Sequence, residues 1–265
     1  MTRSLLKYVE VASITMRSAW AYLWNQLIAN IFLIVVIFVF VQLWKVTYAT
    51  QGEEINGFRL AEMIWYLVAT EAIVLSLPRI HQVLEQEVKG GDLALRLNKP
   101  YSYLAFHYAS FLGEALLKLV TLLLVGGGTA YLLVGGFGFR WEAAPLLVLL
   151  YLTTHALNFF FIASIGLMAF WVEEVVGLYL LFDRLKWILG GMLIPIEVYP
   201  DAVRRLVEWL PFRHMIGGPA RLFVKFEWAA AGELLLNQLV WLVIFGLICN
   251  GIFRLGVRRV DLNGG

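Results

Sequence analysis

One cysteine occurs in 265 residues, so no intrachain disulfide can form. Cys249 lies in an apolar run, and a cysteine metal site is not expected. Charge is scarce too: Asp, Glu, Lys and Arg supply 15% of the chain, against about 25% in a typical soluble domain. The formal net charge of +2 points away from nucleic acid as a partner. No G-x-x-x-x-G-K-[ST] string occurs, so a phosphate-cradling loop of that kind is absent. The stretch GGGTAYLLVGG at 126–136 has the glycines but no following lysine; it reads as close helix packing or, more sharply, as a dimer face. Residues 1–19 lack the apolar core of a cleavable signal.

What the chain has in abundance is apolar surface, at 61% of residues. A soluble protein of this length could not hide so much, so the solvent must be lipid. Residues 1–19, with Arg3, Lys7 and Arg17, form an amphipathic helix suited to lying on a membrane surface. Six runs then approach the roughly 20 apolar residues that a spanning helix needs: 20–44, 59–78, 112–134, 145–171, 176–196 and 230–253. The fold class is therefore all-α integral membrane, a single transmembrane domain over 1–265. An even number of spans puts both termini on one face. The basic residues around the first helix favour a cytoplasmic placement for them.

Two stretches break the apolar pattern. Residues 79–103, containing EQEVKGGDLALRLNKP, are too long for a bundle turn of about 2–8 residues. RIHQVLEQEVKG predicts a helix stopped at Gly90-Gly91, and Asp92 can cap a second helix before Lys99-Pro100. The second stretch, GGMLIPIEVYPDAVRRLVEWLPF at 190–212, weakens the fifth span with Gly190, Gly191 and Pro195. Pro200 starts a short amphipathic helix and Pro211 ends it. Residues 197–228 are expected outside the spans, on the face opposite 79–103.

In their order and spacing, the amphipathic start, the six runs and these two motifs resemble the membrane subunits of type-2 ATP-binding-cassette (ABC) transporters, the permeases of drug, lipid and polysaccharide exporters. GDLALRLNKP and GGMLIPIEVYP…LPF carry the nearest likeness, to a bacterial drug/lipid exporter-like subgroup, and the resemblance covers essentially the whole chain. It implies a second permease subunit, either another copy or a related chain, and two cytoplasmic ATPase subunits that hold the ATP and Mg. This chain itself would bind no cofactor and perform no catalysis. It implies an elbow role for 1–19 and a plasma (inner) membrane location. Residues 79–103 become a coupling region that docks on the ATPase, with Glu85, Glu87, Lys89, Gly90, Gly91, Asp92 and Arg96 as the docking candidates. The segment before the last span caps the exit, with Gly190, Gly191, Pro195, Pro200 and Pro211 as its breaks.

Ionisable residues inside spans are functional suspects by default. Glu71 in the second span could face a translocation path or make a structural hydrogen bond. His155 and Asn158 share one face of the fourth span; they could line the path, but they suit interhelical hydrogen bonds better and do not amount to a metal site. Glu114 and Lys118, four apart, are expected to pair. Asp183, Arg184 and Lys186 read as a water-exposed turn at the inner end of the fifth span, or as an inner gate. Two other classes remain open. An ion-coupled secondary transporter would lean on Glu71. A membrane enzyme acting on lipid-linked substrates would need a catalytic cluster, and none has convincing spacing.

Overall fold

The computed structural model describes residues 2–21 and 23–263; Met1 of the surface helix and Tyr22 of the first expected span lie outside the described residues. The chain is helical almost throughout. Helix α1 (Thr2–Ala21) leads into α2 (Leu23–Gln51), and a two-stranded hairpin follows, β1 (Glu54–Ile55) with β2 (Phe58–Arg59). Asn56 and Gly57 at its tip both have positive φ, 47° and 84°, as a two-residue Asn-Gly hairpin turn requires. Then come α3 (Leu60–Ser76), α4 (Ile80–Gly90), α5 (Asp92–Leu97), α6 (Tyr103–Val134), α7 (Ala144–Gly166), α8 (Val176–Leu189), α9 (Asp201–Glu208), α10 (Phe212–Met215), α11 (Gly217–Val224) and α12 (Trp228–Asn263).

Among the described residues five stretches are long and apolar enough to cross a membrane: Asn30–Gln51, Leu60–Gly90, Tyr103–Val134, Trp141–Phe170 and Trp228–Arg259. The second is broken between α3 and α4, where Leu77 and Pro78 interrupt the helix, so its spanning part is α3. The fifth expected span, 176–196, is helical only over the 14 residues of α8, about 21 Å at 1.5 Å per residue. It is shorter than the roughly 30 Å hydrocarbon core. At the other extreme α6 has 32 residues, about 48 Å, longer than an untilted crossing needs.

The core lies where α3, α6 and α7 are enclosed by their neighbours: Ile64, Leu67 and Ala69 of α3 and Leu157 and Phe159 of α7 are fully buried. Large side chains of α2, α8 and α12, among them Phe32, Leu180 and Leu247, are exposed, as expected of lipid-facing or partner-facing surfaces. α1 lies directly on α6. A Cβ at Gly113 would fall 2.2 Å from the Ala12 carbonyl oxygen, so only glycine permits that crossing. Lys7 Nζ donates to the Pro100 carbonyl at 3.1 Å, and the Ser102 amide donates to Tyr8 Oη at 3.0 Å. The far end of α12 comes to the same end of the bundle, with Phe253 stacked on Tyr103 at 5.1 Å. α1 and the later turns of α12 therefore both meet the start of α6, just after α5.

Candidate functional site

α4, the Gly91 turn and α5 form the helix–glycine–helix unit that the sequence predicts. Gly91 sits at φ 79°, in the left-handed region, and reverses the chain between the helices. Asp92 is the first residue of α5 rather than its cap; Gly91 takes the capping position.

Beneath the turn is a cluster of charge. Glu87 is buried, and Arg96 Nε lies 2.6 Å from its Oε1. Its other oxygen is shared by His107 Nε2 at 3.0 Å and the Tyr103 hydroxyl at 2.8 Å. Burial alone would raise the Glu87 carboxyl; the bonds from His107 and Tyr103 and the Arg96 charge outweigh it and hold the group below its ordinary 4.5. Glu85 is also buried: its Oε1 accepts from Lys89 Nζ at 2.5 Å and from the Val175 amide at 3.3 Å, just before α8. His81 stacks on Tyr179 of α8 with ring centroids 3.6 Å apart. At Gly166, a Cβ would lie 2.8 Å from His81 Cα, which brings α4 onto the end of α7. The unit is thus fastened to α6, α7 and α8, and through residues 100–102 to α1.

These contacts correct one expectation. Glu85 and Glu87 do not present their carboxylates outward, because both are consumed by internal partners. What faces out is Lys89, Gly90, Gly91 and Asp92, with Leu95 at 65% exposure. Arg96 is half-buried between Glu87 and the Phe106 ring. Leu95 was not singled out by sequence, although an isolated leucine on a polar tip is a usable signal.

The second site candidate is the break after α8. Gly191 has φ 73°, and a Cβ at Gly190 would lie 2.4 Å from the Lys186 carbonyl oxygen and 3.0 Å from that of Phe212. The backbone here sits deep in the bundle. The Tyr66 hydroxyl donates to the Gly191 carbonyl at 2.5 Å, and Thr70 donates to that of Met192 at 2.6 Å. Tyr66 and Thr70 lie six and ten residues into α3, about 9 and 15 Å from its start. The chain then rises through a tight turn after Pro195 to α9, which Pro200 precedes, and comes back after Pro211 through α10. The Gly217 amide donates to the Gly190 carbonyl at 2.9 Å. Asn158 Nδ2 donates to the Met215 carbonyl at 3.2 Å, and Gln238 Nε2 to that of His214 at 2.9 Å. Irregular backbone at this depth survives because side chains of α3, α7 and α12 satisfy it. Residues 212–224 therefore do not stand clear of the bundle as a simple external cap would; they fold back against α3, α7 and α12, which makes 190–224 re-entrant into the bundle.

The remaining suspects lie beside this segment or elsewhere in the bundle. His155 is fully buried, with Nε2 3.0 Å from Ser76 Oγ and Nδ1 2.8 Å from the Tyr151 carbonyl. Asn158 also accepts from Lys186 Nζ at 3.4 Å. The expected water-exposed turn at 183–186 is corrected: Lys186 is fully buried, 3.0 Å from Asp183 Oδ1, and only Arg184 of the three is exposed, over the Trp187 ring at 3.9 Å. A charge in sequence suggests water, yet here a pair of opposite charges is enclosed between helices. Glu114 and Lys118 pair as expected, at 2.5 Å. Glu71 is buried, with no hydrogen bond or ion pair to any described residue.

Compared with known families, residues 26–264 match the model described as ABC-2 family transporter protein. The chain belongs to that family. No match is found among curated proteins. The family match makes this ABC-2 protein a multi-pass membrane component of an ABC transporter, and the helix–glycine–helix unit and the re-entrant segment are the two places where its apolar helices give way.

Proposed function

We propose that the chain is the permease subunit of an ATP-driven exporter in a bacterial plasma membrane, with its termini and α4–α5 on the cytoplasmic side. A second permease, a copy or a related chain, completes the path. Two separate ATPase subunits hold ATP and Mg and supply the work. The observation that supports this reading is the fastening of α4 and α5. A unit with an outward tip of Lys89, Gly90, Gly91, Asp92 and Leu95, tied by Glu85, Glu87 and His81 to the entrances of the spans, transmits a push from a soluble partner into the membrane. Lys89, Asp92 and Leu95 then make the contact, while Glu85, Glu87 and Arg96 keep the unit rigid. The re-entrant segment about Gly190, Gly191, Pro195, Pro200 and Pro211 closes the exit in this reading. Asn158 braces it from α7 through the Met215 carbonyl, while His155 ties α7 to α3 at Ser76.

The test is co-purification of the chain with its ATPase. The chain alone is expected to hydrolyse no ATP. Leu95→Asp and Asp92→Lys are expected to reduce ATPase association and transport together. Intact association and transport in both variants sinks the docking reading. A second reading, an ion-coupled carrier, draws on Glu71, buried without an ionic partner among the described residues. Transport driven by a proton gradient without any ATPase, and abolished in Glu71→Gln, would favour it.

A further inference from the structure

Between α1, α4 and α6 lies an open cleft of about 710 Å³, within the 300–1,000 Å³ range of ligand pockets. α4 and α6 do not interdigitate there; they face one another across the gap with hydrogen-bonding side chains. Arg79, Gln82 and Gln86 come from one face of α4, Ser110 and Lys118 from α6, and Thr15 from α1. Arg79 is exposed and has no carboxylate partner among the described residues. It stands at the N-cap of α4, an 11-residue helix whose positive end opens on the cleft through Pro78 and Ile80. The one carboxylate on the wall is Glu114, already paired with Lys118. Arg96 reaches the rim, neutralised in part by Glu87. The wall is therefore rich in donors and positive in balance. It is also half apolar, with Val83, Phe106 and Phe111 between the polar groups.

The position narrows the occupant. The cleft opens where the amphipathic α1 crosses α6, with the Glu114–Lys118 pair on one wall and the apolar length of α6 beyond it. A soluble anion would need no apolar wall, and a protein surface would have to reach up beside α1 into the bilayer edge. We propose that the cleft binds the headgroup phosphate of an anionic phospholipid from the leaflet at this end of the bundle, with Arg79 and Lys118 as its principal partners and the acyl chains leaving over Val83 and Phe111. Because the site spans α1, α4 and α6, an occupying lipid fastens the surface helix to the helix–glycine–helix unit.

The test titrates the full-length chain, in neutral detergent, with phosphatidylglycerol and phosphatidylcholine of the same acyl chains, and reads bound lipid by native mass spectrometry. Two basic partners predict ~10-fold tighter retention of phosphatidylglycerol. Arg79→Gln with Lys118→Gln should erase that preference while leaving the melting temperature in phosphatidylcholine unchanged. Gln86→Glu, at an exposed position, should weaken phosphatidylglycerol binding should the double variant fail to fold. Glu114→Gln should strengthen it by freeing Lys118. Equal binding of the two lipids, or a preference untouched by these variants, overturns the proposal. Displacement by millimolar inorganic phosphate would mark a soluble-anion site, and expulsion of the lipid by added ATPase would assign the cleft to that partner; either result overturns it as well.

Discussion

The helix–glycine–helix unit at 80–97 and the re-entrant segment at 190–224 both interrupt apolar helices with paired glycines, yet they are held in opposite ways. The first is closed by side-chain charge. Glu87 gathers Arg96, His107 and Tyr103, and Glu85 gathers Lys89 and the Val175 amide. The second is closed by backbone approach, with Gly217 against Gly190 and hydroxyl or amide side chains on stranded carbonyls. In the proposed orientation the difference follows from the solvent that each region meets. Near water an ion-pair cluster can form around a buried acid and leave its tip polar. At membrane depth every bare carbonyl must find a protein donor, and glycine lets the strands come close enough to share them.

The sharpest way to break this contrast is to place a side chain in the backbone junction. Gly217→Val would set a Cβ 2.6 Å from the Gly190 carbonyl oxygen and 2.8 Å from Tyr66 Oη. Overpacking at so tight a site costs about 3 kcal/mol or more, and folded protein recovered by size-exclusion chromatography should fall sharply. Next in size, Glu87→Ala should cost about 2–3 kcal/mol by leaving Arg96 and His107 without their acid. A drop in melting temperature measures it. The same residue predicts a pH dependence. Since its folded pKa lies below the ordinary 4.5, its contribution is present in full above that value and fades as pH falls below it. The melting difference between the wild-type chain and Glu87→Gln should shrink between about pH 5 and pH 3; a constant gap would contradict the charge-based account. Tyr66→Phe removes one donor from the Gly191 carbonyl and should cost about 1–2 kcal/mol. Smallest in stability is Leu95→Asp, within about 0.5 kcal/mol because the side chain is exposed. In the proposed docking role it still weakens ATPase association by ~10-fold, measured by co-purification.

The two regions were also unequally legible. The helix–glycine–helix unit could be read because local signals delimit it: Gly90-Gly91, Asp92 and Lys99-Pro100 punctuate helix-forming runs. Burial of Glu85 and Glu87 was not legible, since their partners His107, Tyr103 and Val175 come from other elements. The break at Gly190-Gly191 was visible, but the return of 212–224 into the helix bundle was not, because Asn158, Gln238 and Tyr66 are far away in sequence. Lys186 and Asp183 misled for a related reason: local charge says water, and only tertiary packing encloses the pair. The Asn56-Gly57 hairpin, by contrast, carries a local signal that a closer reading of EINGFR supplies.

Gly113 has a consequence of its own. With backbone set against backbone where Ala12 meets Gly113, and with Lys7 and Tyr8 holding residues 100 and 102, α1 cannot pivot freely against α6. In the proposed transport cycle, any tilt of α6 would therefore carry α1 with it.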